Sequence, residues 1–238
     1  MIVTETIRKI AARKIRSHWL VERAQYELRR SPTLRLGADL FKTQASQIEI
    51  DVSPGAIIID CGANVGNITS LFCRTGATVY AFEPNPLCFK ILSSRFLALR
   101  SVRCFNQGVM DRDCKMILRT PDPHGPWDAL ECTVGSSVIP GALADDTYTV
   151  HEVEVECIDL DWFIQSLGRR VRLLKLDIEG AEVCVLNRLL DSGTIDLIDY
   201  VVAETHEEEI ADLKVPIATL RERIENAGLA KRVRLDWN

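Results

Sequence analysis

The sequence lacks the features that mark several large classes of protein. Its 238 residues contain no apolar run near the roughly 20 residues that a membrane-spanning helix needs. The N-terminus is charged and has no apolar block followed by small residues, as a secretory signal would. We therefore expect a cytoplasmic protein without a transmembrane segment. The sequence also has no internal repeat and no low-complexity tract, which indicates ordinary globular structure.

Paired cysteines and an excess of positive charge are missing as well. None of the eight cysteines belongs to a C-x-x-C pair, which disfavours a zinc knuckle. Buried, reduced thiols are the simplest interpretation of cysteines spread through apolar segments. The net charge of −5 disfavours general binding of nucleic acid, because proteins with that function are usually basic.

Residues 1–45 differ from the rest and are predicted to form a basic helical arm. Up to residue 36, nine Lys or Arg residues stand against three acids. Apolar residues recur there at helical spacing (Ile7, Ile10, Ile15). The apolar face of the arm could pack on the main domain, bind a membrane surface or a partner, or cover a substrate site.

Residues 46–238 are predicted to form one α/β domain. The sequence indicates strands and helices in alternation, with strands over 57–60, 79–83, 102–106, 171–177 and 198–204, and helices over 67–75, 86–99, 181–191 and 217–227. Such alternation predicts a mostly parallel sheet with helices on both faces. An irregular insertion rich in Pro and Gly, 114–160, is expected near a substrate site, and part of it (114–119 and 153–157) is predicted to form an added strand pair.

The most informative segment follows the first predicted strand. Asp60, Gly62, Asn64 and Gly66 form the pattern D-x-G-x-N-x-G between that strand and a helix. A tight turn of this kind predicts a nucleotide-type cofactor site at the carboxyl end of a parallel strand. Asp60 stands where a dinucleotide-binding loop has its first glycine. A carboxylate there would repel a phosphate and would suit a cofactor that carries positive charge.

An acid also ends the second predicted strand. Glu83 lies 23 residues after Asp60. An acid ~20 residues past such a loop can accept hydrogen bonds from both ribose hydroxyls of an adenosine. Pro84 then ends the strand. This spacing predicts that Glu83 binds a ribose.

Two further strand ends carry ionisable side chains. Asp177 and Glu179 follow the fourth predicted strand, and Glu204 and His206 follow the fifth. If these strands are neighbours, the four side chains meet at one edge of the sheet. They could then supply a general base, with His206 as the residue, or hold a divalent cation, and His206 could also be structural. Lys175 lies in the same leucine-rich strand and is expected to pair with Asp177.

These segments, in this order, resemble the FkbM family of S-adenosylmethionine-dependent methyltransferases. The resemblance extends over roughly residues 47–210. It rests on 59–66, 82–86, 175–182 and 204–206, with weaker matches at 106–109, 136–137 and 158–163. One departure is the C-terminal end, where only one further strand (231–237) is indicated, whereas methyltransferase sheets of this class normally end in an antiparallel strand pair.

The resemblance implies a Rossmann-like methyltransferase domain that uses S-adenosyl-L-methionine. The methyl group would go to a hydroxyl oxygen of a sugar, a glycan or a natural-product small molecule. The implied cofactor-binding residues are Asp60, Gly62, Asn64, Gly66, Asn67, Glu83, Pro84, Asn106, Gln107, Gly108 and Asp177. The predicted catalytic residues are His206 as general base, with Asp177 and Glu204 to orient it. Dependence on a metal ion, with Asp177, Glu179, Glu204 and His206 as candidate ligands, is left open, as is homo-oligomer formation.

Three other functions were weighed against this one. Methyltransferases that modify nitrogens of nucleic acid or protein commonly carry Asn/Asp-Pro-Pro-Tyr/Phe after the fourth strand, where this chain has Leu-Asp-Ile-Glu at 176–179. The basic arm nevertheless keeps RNA as an alternative. A non-catalytic cofactor-binding subunit would have lost the residues of the fourth and fifth strand ends, and they are intact. An NAD-dependent oxidoreductase conflicts with Asp60.

Overall fold

The computed structural model describes residues 33–36, 48–121, 150–208 and 210–236. The predicted basic arm lies outside the described residues, except for 33–36, which form a strand and not a helix. The described strands are β1 (Thr33–Leu36), β2 (Ile48–Asp51), β3 (Ile57–Cys61), β4 (Thr78–Phe82), β5 (Val102–Phe105), β6 (Gly108–Met110), β7 (Cys114–Pro121), β8 (Val150–Asp159), β9 (Val171–Leu176), β10 (Ile198–Ala203) and β11 (Val233–Arg234). The α-helices are α1 (Asn67–Cys73), α2 (Pro86–Phe96), α3 (Leu160–Ser166), α4 (Glu182–Ser192) and α5 (Lys214–Asn226).

Six parallel strands form the central sheet, in the order β11-β10-β9-β3-β4-β5. The predicted fold class, a mostly parallel Rossmann-like α/β sheet, is therefore confirmed. All five predicted strands and four predicted helices are present, with ends shifted by up to three residues. The chain runs outward from β3 in one direction and from β9 in the other. A crevice therefore opens between these two strands at their carboxyl ends, where ligands of open α/β sheets bind.

Helices cover both faces of this sheet. Along β3, Ile57 and Ile59 belong to one core cluster and Ile58 to the other, because side chains alternate between the faces of a strand. Helices α3, α4 and α5 pack on the first face, and α1 and α2 pack on the second. All five residues of β3 are buried, as expected for a central parallel strand covered on both sides.

A second sheet has the order β6-β8-β7. Strands β7 and β8 lie within the predicted insertion, whereas β6 precedes it. The predicted strand pair is confirmed, since β7 and β8 pair antiparallel from Cys114 opposite Cys157 to Pro121 opposite Val150. Residues 122–149 of the insertion lie outside the described residues. Helix α3 was not predicted from the sequence. It begins after Asp159, whose side chain caps it by accepting a hydrogen bond from the Trp162 N–H at 3.1 Å.

The last strand of the sheet is only two residues long. Strand β11 pairs parallel with β10, and no antiparallel strand follows it at this edge within 210–236. The antiparallel pair usual at the end of methyltransferase sheets is thus not seen in the described part of the chain. No helix among the described residues is long and apolar enough to cross a membrane.

Candidate functional site

The loops that follow β3 and β9 touch at the centre of the crevice. Gly62 has a φ of 74°, and a Cβ atom added to it would lie 1.8 Å from the carbonyl oxygen of Asp177. Only glycine permits so close an approach of two backbones. The Asp177 N–H also donates to the Cys61 carbonyl oxygen at 3.2 Å. The two loops are therefore fixed against each other.

Lys175 links these two loops from the protein interior. Its side chain is buried, and its Nζ lies 2.8 Å from the Gly62 carbonyl oxygen, 3.1 Å from Asp177 Oδ2 and 3.5 Å from Asp60 Oδ1. Burial by itself would lower the pKa of Lys175, but the carboxylates of Asp177 and Asp60 raise it overall. The ammonium group thus stays charged and holds both loops. This geometry is consistent with the predicted pairing of Lys175 with Asp177.

Asp60 is placed differently from the prediction. The residue is fully buried, and its Oδ2 accepts a hydrogen bond from Thr69 Oγ1 of α1 at 2.6 Å. Its carboxylate therefore points into the protein and does not line the cavity. Asp60 can act on a bound cofactor only through Lys175 and the loop that this lysine holds.

Three other residues of the predicted cofactor set also do not line the cavity. A Cβ atom at Gly66 would lie 2.5 Å from Cε2 of Phe96, so this glycine allows α1 to pack on α2. Asn67 Oδ1 accepts a hydrogen bond from Arg95 at 2.9 Å. The Asn106 amide donates to the Glu83 carbonyl oxygen at 2.9 Å. These residues support the loops that form the wall.

A cavity occupies the crevice. Seven residues of the predicted cofactor set line it: Gly62, Asn64, Glu83, Pro84, Gln107, Gly108 and Asp177. The rest of its lining lies outside the predicted cofactor set and is largely apolar: Phe82, Val109, Met110, Leu118, Cys157, Ile178, Glu179 and Ala181. The cavity thus combines a polar floor from the central sheet with an apolar wall from the second sheet.

Glu83 is the most rigidly held carboxylate of the cavity. Its Oε2 accepts the Asn64 N–H at 2.7 Å and its Oε1 accepts the Asn85 N–H at 2.8 Å. Burial raises the pKa of Glu83 to about 7, although the two backbone N–H groups act in the opposite direction. The φ of 51° at Asn64 directs its N–H toward this carboxylate. Each carboxylate oxygen keeps further acceptor capacity.

An acid–imidazole cluster lies at the ends of β9 and β10, which are neighbours as required. Asp177, Glu179 and His206 each offer one ligand atom, and these atoms lie within 4.8 Å of one another. The His206 Nε2 lies 3.4 Å from Glu179 Oε2. Glu204, the fourth predicted member, does not belong to this set of three among the described residues, although its charge acts on Glu179.

Glu182 is a member of this region to which the sequence assigned no role. Its fully buried carboxylate accepts the N–H groups of Ile178 at 2.7 Å and Gly180 at 2.9 Å, and it lies 3.9 Å from His206 Nδ1. An acid at the first residue of a helix, close after a glycine, is a recognisable signal for binding backbone N–H groups. Glu182 therefore fixes the turn that carries Glu179.

The cluster carries an excess of negative charge. Burial raises the pKa of Glu179, as do the neighbouring Asp177, Glu182 and Glu204, and against the opposing effect of His206 the pKa reaches about 7. Burial would lower the pKa of His206, but Glu179 and Glu182 raise it above its ordinary value. This site favours a cation or a proton.

The family is shown by comparison with known proteins. Residues 60–228 match the methyltransferase FkbM domain. "Methyltransferase 1" of Beauveria bassiana (strain ARSEF 2860) is 33% identical over 204 residues, which cover 79% of each chain. "31-O-demethyl-FK506 methyltransferase FkbM" of Streptomyces tacrolimicus is 27% identical over 200 residues, which cover 72% of this chain and 73% of that one. The crevice between β3 and β9, with its loop D-x-G-x-N-x-G and its acid–imidazole cluster, is thus that of a chain belonging to the FkbM family of methyltransferases.

Proposed function

We propose that this protein transfers a methyl group from S-adenosyl-L-methionine to a hydroxyl oxygen of a sugar, a glycan or another small molecule. One observation carries the proposal: a single cavity has Glu83 in its lining, suited to an adenosine ribose, and Asp177 and Glu179 of the acid–imidazole cluster. A cofactor site and a site for proton transfer are therefore adjacent.

The residues of the cavity suit the parts of this cofactor in turn. Glu83 would accept the ribose hydroxyls, and Gln107 and Gly108 would lie beside the adenine. Gly62 and Asn64 would border the methionine part, and Asp177 the methyl group. The negative charge of the cluster favours a cofactor whose sulfur and amino group are both positively charged.

The protein itself has to supply little of the chemical activation. The bound cofactor supplies a methyl carbon activated by a positively charged sulfur, so the protein must mainly position the acceptor and exclude water. The acceptor hydroxyl loses its proton as its oxygen attacks. In this proposal His206 takes that proton, and Asp177 and Glu204 stabilise the imidazolium that results.

The acceptor class is supported by the relatives and by charge. The Streptomyces relative is named for 31-O-demethyl-FK506, an acceptor that lacks an O-methyl group. The net charge of −5 and the acidic cluster both disfavour a polyanion such as RNA.

A thermal-shift measurement tests the cofactor half. S-adenosylhomocysteine should raise the unfolding midpoint and NAD should not, because a ligand that binds only the folded state stabilises it. Stabilisation by NAD alone would overturn the proposal. Transfer of labelled methyl groups to a panel of hydroxyl compounds then tests catalysis, and binding without transfer to any member would favour the non-catalytic subunit.

Replacing His206 tests the catalytic half. His206→Ala should reduce turnover by about 10²-fold or more, the usual contribution of a general base. The affinity for S-adenosylhomocysteine, measured by calorimetry, should stay within about twofold because His206 does not line the cavity floor. Unchanged turnover would remove His206 from the reaction.

A further inference from the structure

We propose that Asp177, Glu179 and His206 bind a divalent metal ion at the edge of the cavity, where it would hold the acceptor hydroxyl. This inference rests on the proposed function for its role, but not for the binding itself. It also competes with the role of His206 as a base, since a nitrogen that binds the metal cannot take a proton.

Geometry supports the site first. One donor atom from each of the three residues falls within 4.8 Å of the others. Donors that share an ion at bonds of about 2.0–2.3 Å lie no more than about 4.6 Å apart. The 3.4 Å between His206 Nε2 and Glu179 Oε2 falls within that limit. Three protein ligands leave coordination positions for water or for a substrate oxygen.

The state of His206 gives an independent reason. Its side chain is only 13% exposed, and its Nδ1 is buried without a hydrogen-bond partner among the described residues. A buried polar atom without a partner costs free energy. The other nitrogen, Nε2, lies toward Glu179. An ion bound at Nε2 would fix the proton on Nδ1, which lies 3.9 Å from the Glu182 carboxylate, the usual arrangement around a metal-bound imidazole.

The backbone at Glu179 is a third observation. Its φ of 56° is rare for a residue other than glycine and costs free energy. The carboxylate of Glu182, which binds the N–H groups on both sides of Glu179, holds this conformation in place. The turn thus presents the Glu179 carboxylate toward His206. Strain that is held in this way is typical of functional positions.

The donor set indicates the kind of metal. Two carboxylate oxygens favour hard ions such as Mg²⁺ and Mn²⁺, whereas an imidazole favours borderline ions. Mn²⁺ satisfies both preferences and is paramagnetic, so it is the probe of choice. The excess negative charge of Asp177, Glu179, Glu182 and Glu204 acts in the same direction. An ion there would make a bound hydroxyl more acidic.

A titration of the full chain with Mn²⁺ tests the site without any assay of activity. Free Mn²⁺ is followed by electron paramagnetic resonance, in the absence of cofactor. The wild type should show one saturable site. Glu179→Gln and His206→Ala should each weaken it by about tenfold or more, since each removes a ligand. Glu154→Gln is the matched control, because Glu154 is an exposed acid of β8 paired with Lys115.

The outcomes separate the metal site from the cofactor site. No saturable binding by the wild type, or equal binding by Glu179→Gln, overturns the metal site. Stabilisation of each variant by S-adenosylhomocysteine shows that the variant is folded. It also measures cofactor binding independently of metal binding. Methyl transfer that is undiminished by a chelator overturns the role of the metal in holding the acceptor and leaves the proposed function standing. Mn²⁺ binding that His206→Ala leaves intact also overturns the proposed ligand set and favours His206 as the base.

Discussion

A buried ammonium group connects the two loops at the centre of the crevice. Lys175 contacts the loop after β3 through Gly62 and the loop after β9 through Asp177. Removing one partner of a buried ion pair leaves the other charge uncompensated, and that is more costly than never having had the pair. Asp60, fully buried beside Lys175, would be that charge.

Lys175→Met should therefore destabilise the protein by about 3–5 kcal/mol, as measured by urea denaturation. The variant keeps the length of the side chain and removes its charge. The double variant Lys175→Met, Asp60→Asn should recover part of the loss, because neither buried charge remains. A loss below about 1 kcal/mol would show that the network contributes little.

The close approach at Gly62 makes a second prediction. Gly62→Ala should abolish binding of S-adenosylhomocysteine, because the new methyl group would collide with the Asp177 carbonyl and push the two loops apart. Gly168→Ala is the matched control, since Gly168 also has a positive φ, of 59°, but nothing lies within 4 Å of its Cβ position. Both variants carry the backbone penalty of about 1–2 kcal/mol. Equal cofactor binding by the two variants would show that the approach is not critical.

Glu83 leads to a prediction about pH. Its raised pKa of about 7 means that it gains a proton as the pH falls through neutrality. A protonated carboxyl cannot accept the two backbone N–H groups and the ribose hydroxyls together. Cofactor affinity should therefore increase as the pH rises from 6 to 8, and this increase should become smaller in Glu83→Gln, where Glu179, whose pKa is also about 7, still titrates. Lys175 and Asp177, the other charged groups that act on Glu83, are unchanged in that variant.

At the scale of the elements, strands are predicted best where an apolar run is followed by a residue that ends it. Strands β3, β4, β9 and β10 are short apolar runs that end in acids, glycine or proline, and their bounds follow directly. Strand β6 has only three residues, too few to show a period, and helix α3 follows β8 directly, with no glycine or proline between them to mark its start. The sequence also led us to expect Asp60 in the cofactor site. Residue order alone does not show that its side chain points into the protein interior and not into the cavity.

The capping of α3 is a prediction at this scale. Asp159→Ala should cost about 1 kcal/mol, because it removes the side-chain oxygen that accepts the Trp162 N–H. Asp159→Asn keeps an accepting oxygen and should cost less. Urea unfolding midpoints of the two variants give the comparison. An equal loss in both would mean that the charge near Arg188, 3.7 Å from the Asp159 carboxylate, matters more than the cap.

For the whole molecule, the parallel sheet explains why the site could be predicted at all. Every strand of the sheet ends at the same edge, so acids that are far apart in the sequence are brought together. That rule was enough to predict that Asp177, Glu179 and His206 meet. It could not predict the support behind them, such as Glu182 and Asn106, because their roles depend on the turns that their own side chains hold.

The two sheets divide the cavity into parts that can be redesigned separately. The hydrogen-bonded floor comes from β3, β4 and β9, whereas Met110, Leu118 and Cys157 of the second sheet supply apolar wall. A combinatorial library at these three wall positions would change the shape offered to an incoming molecule while leaving Glu83 and Lys175 untouched. The fold is thereby suited to directed evolution, because the shape of the apolar wall can be varied without rebuilding the hydrogen-bonded floor.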